Sequence, residues 1–108
     1  MDLETSKDIY KELSENNPMD PIPLTRLGHI YLSDSLGSDI KKKENRDNAW
    51  DNFQKSSELG DPEAYTMLGY MKEQGWAVNK NISDAKNYYL RALACSLKSI
   101  RCSNTLYF

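Results

Sequence analysis

The side chains that could carry out chemistry in this 108-residue sequence are few and lie far apart along the chain. The chain contains one histidine, His29, and two cysteines, Cys95 and Cys102. Enzymatic catalysis needs a nucleophile, a base and a group that orients the base, and no motif in the sequence combines them. Glycine-rich phosphate loops and metal-ligand clusters are also missing from the sequence. We therefore predict no catalytic site and no cofactor, and interpret His29 as a contact or surface residue.

A second candidate is the tripeptide Asn81-Ile82-Ser83, which matches the acceptor motif for N-glycosylation. This motif matters only if the protein enters the secretory pathway. The alternative is that Asn81 caps the start of a helix, since asparagine is a favoured N-cap residue. Both interpretations place Asn81 on the surface.

Charge and hydropathy exclude two classes of partner. The net charge of −2 argues against a nucleic-acid surface, which normally carries a basic face. The longest apolar run is far shorter than the ~20 residues of a membrane-spanning helix, so no direct insertion into a membrane is predicted. The first eight residues, MDLETSKD, do not resemble a signal peptide. A cytoplasmic location is expected if the chain is complete, and the endoplasmic-reticulum lumen or another organelle if it is a fragment.

The stretch 60–94 predicts a helical hairpin around which the rest of the chain is organised. Two stripes of apolar residues recur at helical spacing, and a glycine and an asparagine between them fit a helix end and a helix start. The first stripe is Ala64, Met67, Leu68 and Met71, and the second is Ala85, Tyr88, Tyr89 and Ala92. Gly75 is expected to end the first helix, and Asn81 is expected to start the second. Neither helix can bury its stripe alone, so each needs the other.

The same pattern occurs once more, earlier in the chain. Leu27-Gly28-x-x-Tyr31 aligns with Leu68-Gly69-x-x-Lys72, an offset of 41 residues. Ala49, Phe53 and Ser56 align with Ala85, Tyr89 and Ala92, an offset of 36 residues. The five extra residues are predicted to lie in a polar loop at about 34–45, before a helix capped by Asn45.

The repeated residues resemble the Sel-one-like repeat, an α-hairpin relative of the tetratricopeptide repeat. The matching positions are Ala64, Leu68, Gly69, Gly75, Val78, Ala85, Tyr88, Tyr89 and Ala92. Three positions depart from that pattern: Lys72 stands where the family usually has tyrosine, Ala77 replaces a second loop glycine, and Leu93 replaces an alanine.

The resemblance implies an all-α fold, an α-solenoid of antiparallel helix hairpins in a single domain. Full repeats are predicted at 22–60 and 61–96, with a half repeat at 1–17 and a degenerate terminal helix at 97–108. The predicted helices are 3–16, 22–34, 46–59, 62–74, 82–96 and 98–107. Ser6, Ile9, Tyr10 and Leu13 are predicted to form the apolar stripe of the first helix. Trp50 is interpreted as packed, and Trp76 as a cap over the seam between repeats or, alternatively, as an exposed anchor.

Stacked hairpins usually line a concave surface with their first helices, and this geometry predicts a partner-binding groove. The residues that fall away from the apolar stripes of those helices are Thr25, His29, Leu32, Thr66, Tyr70 and Glu73. His29 and Tyr70 occupy equivalent positions and are expected to lie side by side. The alternative is that all six are ordinary solvent-facing residues.

The functional prediction is a non-catalytic scaffold or adaptor that holds protein partners on this surface. The first alternative is a structural subunit of an organelle or membrane-linked complex, for example in endoplasmic-reticulum quality control. The second alternative is a hydrolase, because such an activity has been proposed for some cysteine-rich members of the family that this sequence resembles. Those members staple successive repeats by a disulfide, which implies a bond between Cys95 and Cys102; the alternative is two small buried thiols.

Overall fold

The computed structural model describes residues 3–37 and 42–98, and the regular structure of this part is helical throughout. Five helices follow one another: α1 (Leu3–Asn16), α2 (Ile22–Gly37), α3 (Lys42–Glu58), α4 (Pro62–Gln74) and α5 (Ile82–Lys98). The pairs α2–α3 and α4–α5 form hairpins, α1 packs on α2, and α4 packs on α3. Over the described residues this confirms the predicted all-α stack of hairpins.

Each hairpin is closed by a glycine on its first helix and an aromatic ring on its second. A Cβ atom placed on Gly28 would lie 2.5 Å from Cε1 of Phe53, and one placed on Gly69 would lie 2.8 Å from Cε1 of Tyr89. These separations are shorter than van der Waals contact allows, so the two rings lie directly against helix backbone. This explains why a residue with poor helix propensity occurs inside both first helices.

Helix α4 has well-defined ends. Asp61 precedes it in an extended conformation (φ −85°, ψ 113°), and the Glu63 backbone N–H donates to Asp61 Oδ1 at 3.1 Å. Pro62 occupies the first helical position, where its missing N–H costs nothing. At the other end Gly75 has φ 74°, and its N–H donates to the carbonyl oxygen of Met71 at 2.8 Å. The predicted glycine end is confirmed, whereas the Asp-Pro start was not predicted although it is a typical start signal.

Asn81 starts helix α5 as predicted. The Asp84 backbone N–H donates to Asn81 Oδ1 at 3.0 Å, which satisfies one of the free donors of the first turn. The backbone N–H of Asn81 donates in turn to the Lys72 carbonyl oxygen at 3.0 Å, so the cap also ties α5 to α4.

The core lies between the two hairpins and contains most of the predicted apolar positions. Its buried residues are Leu27, Tyr31, Leu32, Ala49, Phe53, Ala64, Leu68 and Met71. Ala85 and Ala92 of the predicted α5 stripe are also buried, while Met67 is partly buried against the core. Tyr65 was not predicted in the core, yet it is 1% exposed and packs with Ala92 and Cys95. Burial raises the pKa of Tyr65, although a hydrogen bond with Arg91 opposes the shift.

Both tryptophans are partly buried at the junction between the hairpins. The Trp76 ring packs against the core, with the Arg46 guanidinium 4.4 Å from its centre. Trp50 meets the Tyr88 ring edge-on, with 6.2 Å between ring centres. The packed interpretation of Trp50 and the seam interpretation of Trp76 agree with this arrangement.

The predicted bounds of the loop at 34–45 are wrong, because 34–37 and 42–45 are helical, while 38–41 lie outside the described residues. Helix α2 continues to Gly37 and α3 begins at Lys42, so longer helices absorb most of the five extra residues. Ser35 remains in the helix because its hydroxyl donates to the Leu32 carbonyl oxygen at 2.7 Å and is fully buried. Asn45 lies inside α3 and is 7% exposed, so it packs rather than caps.

The predicted stripe of α1 is also wrong. Among the side chains of this helix that the structure describes, Lys7 is the buried one, whereas Ile9 and Leu13 are 41% and 40% exposed. Lys7 faces α2, where its ammonium group forms an ion pair with the carboxylate of Asp34. The remaining partial agreement is Tyr10, which packs against the core.

At the other end of the chain, α5 continues to Lys98 and passes through the break predicted at residue 97. The rest of the predicted terminal helix, 99–108, lies outside the described residues.

Candidate functional site

The first helices of the two hairpins, α2 and α4, are joined by two pairs of side chains. The Thr25 hydroxyl donates to Asp61 Oδ2, and His29 Nε2 lies 3.2 Å from Glu63 Oε2. Thr25 and His29 are one helical turn apart, and both contacts reach the start of α4. This end of α4 therefore lies alongside α2, and the two helices present a shared face.

Two of the six predicted binding residues do not reach the surface. Thr25 is 2% exposed and Leu32 is 8% exposed. The prediction of a single apolar stripe failed here because α2 packs against two helices, α1 and α3, and also contacts Asp61. Its buried arc is therefore wide enough to include positions beside the stripe. Thr25 bonds Asp61 and Leu32 packs in the core, so neither is accessible to a partner.

The other four predicted residues are exposed or partly exposed, and with Glu63 they form what we name the first-helix surface: His29, Glu63, Thr66, Tyr70 and Glu73. The His29 side chain is 38% exposed, and its ring meets the buried Phe53 ring edge-on, with 5.3 Å between centres. Tyr70 is 39% exposed. Two carboxylates, two aromatic rings and two hydroxyl groups, those of Thr66 and Tyr70, therefore share this surface.

His29 and Tyr70 have different neighbours despite their equivalent positions in the repeat. His29 lies against Glu63 in the first turn of α4. Tyr70 lies two turns further along that helix and packs edge-on against Trp76, with 5.4 Å between ring centres. These contacts do not show the expected side-by-side pair, because His29 contacts Glu63 and Tyr70 contacts Trp76.

Tyr89 fixes the position of Glu73 at this surface. The Tyr89 hydroxyl donates to Glu73 Oε1 at 2.8 Å. Burial, together with the bond to the Glu73 carboxylate and its charge, raises the pKa of Tyr89 to about 12. Tyr89 consequently stays a neutral donor. Sequence reasoning assigned Tyr89 to the core and did not single out Glu63, because nothing in the pattern shows which outward groups pair across helices.

Comparison with protein families assigns the two hairpins. The model of the Sel1 repeat matches residues 24–61 and 62–96, which is more than half of the chain. This chain belongs to the Sel1 repeat family. Searches of the curated proteins and of the solved structures found no match. Sel1 repeats generally mediate protein–protein interaction, and the family is typically non-catalytic.

The described part of this Sel1 repeat protein contains no group of three or more histidine, cysteine, aspartate or glutamate side chains placed to hold a metal ion. Within the same residues, no helix is both long enough and apolar enough to cross a membrane.

Two of the predicted modification sites, Asn81 and Cys95, lie elsewhere in the second Sel1 repeat. Cys95 is 3% exposed and is disulfide-bonded. Cys102 lies outside the described residues, so the Cys95–Cys102 pair remains a prediction. Asn81 is exposed and caps α5 through its side-chain oxygen, which leaves the amide nitrogen on the outside. Glycosylation of Asn81 also remains a prediction.

Proposed function

We propose that this Sel1 repeat protein is a non-catalytic scaffold or adaptor that binds a segment of a partner protein on its first-helix surface. The observation that carries this proposal is the cluster of exposed Tyr70 and Glu73 beside Tyr89 on α4 and α5, continued toward α2 by Glu63 and His29. Tyrosine offers a large contact area and one polar group at little cost in rotamer entropy.

The charge of this surface favours a particular kind of partner segment. Glu63 and Glu73 carry the formal charges there, and no lysine or arginine occupies any of the five positions. A segment that presents a lysine or arginine beside an apolar side chain would pair with a carboxylate and cover Tyr70. Such pairs contribute more to partner choice than to raw affinity.

Site-specific photocrosslinking in the native cell tests this proposal. A photoreactive phenylalanine analogue at Tyr70 should crosslink to the partner, whereas the same analogue at Lys55, an exposed position of α3, should not. Affinity purification with Tyr70→Ala should recover less of the partner, as expected for a loss of about 1–3 kcal/mol in binding free energy. Lys55→Ala is the matched control and should bind normally.

The melting curve of Tyr70→Ala shows whether a loss of binding comes from the altered surface or from unfolding of the chain. Tyr70→Ala removes an aromatic contact with Trp76 worth about 0.5–1.5 kcal/mol, so a small decrease in melting temperature is expected. Normal binding by Tyr70→Ala, or equal crosslinking at both positions, would overturn the proposal.

The alternative, a structural subunit of an organelle or membrane-linked complex, is favoured by a different observation. Four large apolar residues at the α1–α2 end are strongly exposed: Ile9, Leu13, Met19 and Ile22. A subunit would bury them against a neighbour. Circular dichroism of the purified chain separates the two functions, since a soluble chain that melts cooperatively favours the adaptor and an aggregating chain favours the subunit.

A further inference from the structure

The start of α4 occupies a groove between α2 and α3. Asp61 is 8% exposed there, and its Oδ2 accepts a hydrogen bond from the Thr25 hydroxyl. The Ser56 hydroxyl lies 3.4 Å from the same oxygen and 3.1 Å from the Pro21 carbonyl oxygen, to which it donates. The Thr25 hydroxyl therefore holds the carboxylate that caps the incoming helix, and the Ser56 hydroxyl lies beside it. We name this site the first groove.

A second groove occupies the equivalent position between α4 and α5, with a volume of about 580 Å³. It is lined by Pro62, Thr66, Tyr89, Ala92, Leu93 and Ser96, with Glu63 at its rim, and we name it the end groove. In the repeat register these positions align with Pro21, Thr25, Phe53, Ser56, Ser57 and Gly60 of the first groove and its turn.

Local geometry is kept between the two grooves. The Thr66 hydroxyl oxygen lies 3.3 Å from the Pro62 carbonyl oxygen, and the Thr25 hydroxyl oxygen lies 3.3 Å from the Pro21 carbonyl oxygen. The threonine hydroxyl that contacts Asp61 in the first groove thus has a counterpart in the end groove, on the exposed residue Thr66.

The described chain leaves the end groove open because α5 does not break where α3 does. Helix α3 ends at Glu58, and Gly60, with φ 96°, turns the chain so that Asp61 enters the first groove. Helix α5 instead continues through Ser96, the counterpart of Gly60, to Lys98. Leu93 beside the groove remains 55% exposed.

Three substitutions change what the end groove can accept. Ala92 replaces Ser56, so the hydroxyl that lies beside the cap position is lost. Leu93 replaces Ser57 and makes the wall apolar, and a carboxylate, Glu63, stands at the rim where the first groove has Ile22. A buried carboxylate needs several donors to offset its desolvation, so these changes disfavour an aspartate cap and favour a neutral one.

We propose that the end groove binds the first turn of an amphipathic helix from a partner protein, one that begins with a neutral N-cap such as asparagine or serine. The cap oxygen accepts from Thr66, an apolar residue of the helix covers Leu93, and the positive end of its dipole faces Glu63. This site goes beyond the proposed function, and it shares only Glu63 and Thr66 with the first-helix surface.

Synthetic peptides test the cap preference on the full chain. The probes are labelled peptides with the sequence of residues 58–75, which carry the natural helix start, and the same peptide with Asp61→Asn. Fluorescence anisotropy should show that the asparagine peptide binds about fivefold more tightly, the effect of about one hydrogen bond. Amide chemical shifts of Thr66, Ala92 and Leu93 should change on binding.

Matched variants of the chain identify the groove. Leu93→Glu should abolish binding with an unchanged circular dichroism spectrum, because Leu93 is exposed. Ala92→Ser combined with Glu63→Gln should reverse the preference toward the aspartate peptide. Tyr70→Ala should leave peptide binding unchanged, so this inference and the proposed function can fail independently.

Several outcomes would overturn the inference. They are equal binding of both peptides, shifts that map outside the groove, or no shift at millimolar peptide. Conversion of a dimer to a monomer by Leu93→Glu in sedimentation would assign the groove to a second copy of the chain. Altered resonances of residues 99–108 in that variant, without peptide, would assign it to the chain's own end.

Discussion

Two junctions join neighbouring repeats, α1 with α2 and α3 with α4, and both place an ammonium group over an aromatic ring. At the first, Lys7 Nζ of α1 lies 5.0 Å from the centre of the Tyr31 ring on α2. At the second, Lys72 Nζ of α4 lies 5.9 Å from a ring centre of Trp50 on α3. Lys7 aligns with Trp50 in the repeat, and Tyr31 aligns with Lys72, so the cation and the ring have exchanged helices.

Both junctions thus place a cation over a ring, although the helix that supplies the cation and the helix that supplies the ring differ between them. A carboxylate completes both pairs, since Lys7 pairs with Asp34 and Lys72 with Asp84 at 3.3 Å. Lys72 is a departure from the tyrosine usual in the family, and Trp50 on the facing helix offsets it. Contacts of this type contribute about 0.5–2 kcal/mol, depending on how far they are desolvated.

The contact inside each hairpin shows no such exchange. In both hairpins the glycine is on the first helix and the ring on the second, Gly28 with Phe53 and Gly69 with Tyr89. A ring against bare backbone is an asymmetric contact, because the glycine must leave the space that the ring fills. In this chain, therefore, the helix that supplies the ring differs between the two junctions, whereas it is the second helix in both hairpin contacts.

The largest expected effect comes from adding one methyl group to the hairpin contacts. Gly28→Ala should lower the free energy of unfolding by about 1–3 kcal/mol, since the new Cβ would meet the fully buried Phe53 ring. Gly69→Ala should cost less, because the Tyr89 ring is partly exposed and can move. Urea unfolding of both variants measures the difference, and an equal or larger loss in Gly69→Ala would contradict it.

The next effect concerns the junctions. Lys7→Met should lower the free energy of unfolding by about 1–2 kcal/mol, because it leaves the partly buried Asp34 without this cation. Lys72→Met should cost below about 1 kcal/mol, since its partner Asp84 is more exposed and is screened by solvent. Denaturant midpoints of the two variants give the order.

An exchange variant sharpens this comparison. Lys7→Tyr combined with Tyr31→Lys places the first junction in the arrangement of the second, and it should recover part of the stability that either single change loses. A strictly additive loss in the double-mutant cycle would show that the pair does not interact.

Periodicity in the sequence was enough to predict the hairpins, because core positions such as Leu68 and Ala85 recur at helical spacing and leave a clean stripe. It failed for α1 and α2 for opposite reasons. Lys7 is buried by a pairing that hydropathy cannot represent, and Thr25 is buried because α2 touches more than one helix. The exposed members of the first-helix surface were predictable from register, but their partners, such as Glu63 for His29, depend on how the helices stack.

The loop of the second hairpin gives the smallest expected effect. Ala77 stands where the family pattern has a second glycine, and it has φ 68°, in the left-handed region. This conformation costs a residue with a Cβ about 1–2 kcal/mol, while glycine loses about 0.4–1 kcal/mol more chain entropy on folding. Ala77→Gly should therefore raise the free energy of unfolding by about 0.5–1 kcal/mol.

The matched change is Gly75→Ala, two residues earlier at φ 74°, where the new Cβ would also lie 3.2 Å from Cβ of Lys80. It should lower stability by a similar amount or more, so the same pair of residue types acts in opposite directions within one loop. Urea midpoints of the two variants decide the matter. If Ala77→Gly proved destabilising, the strain at this position would be smaller than the entropy that glycine adds to the unfolded chain.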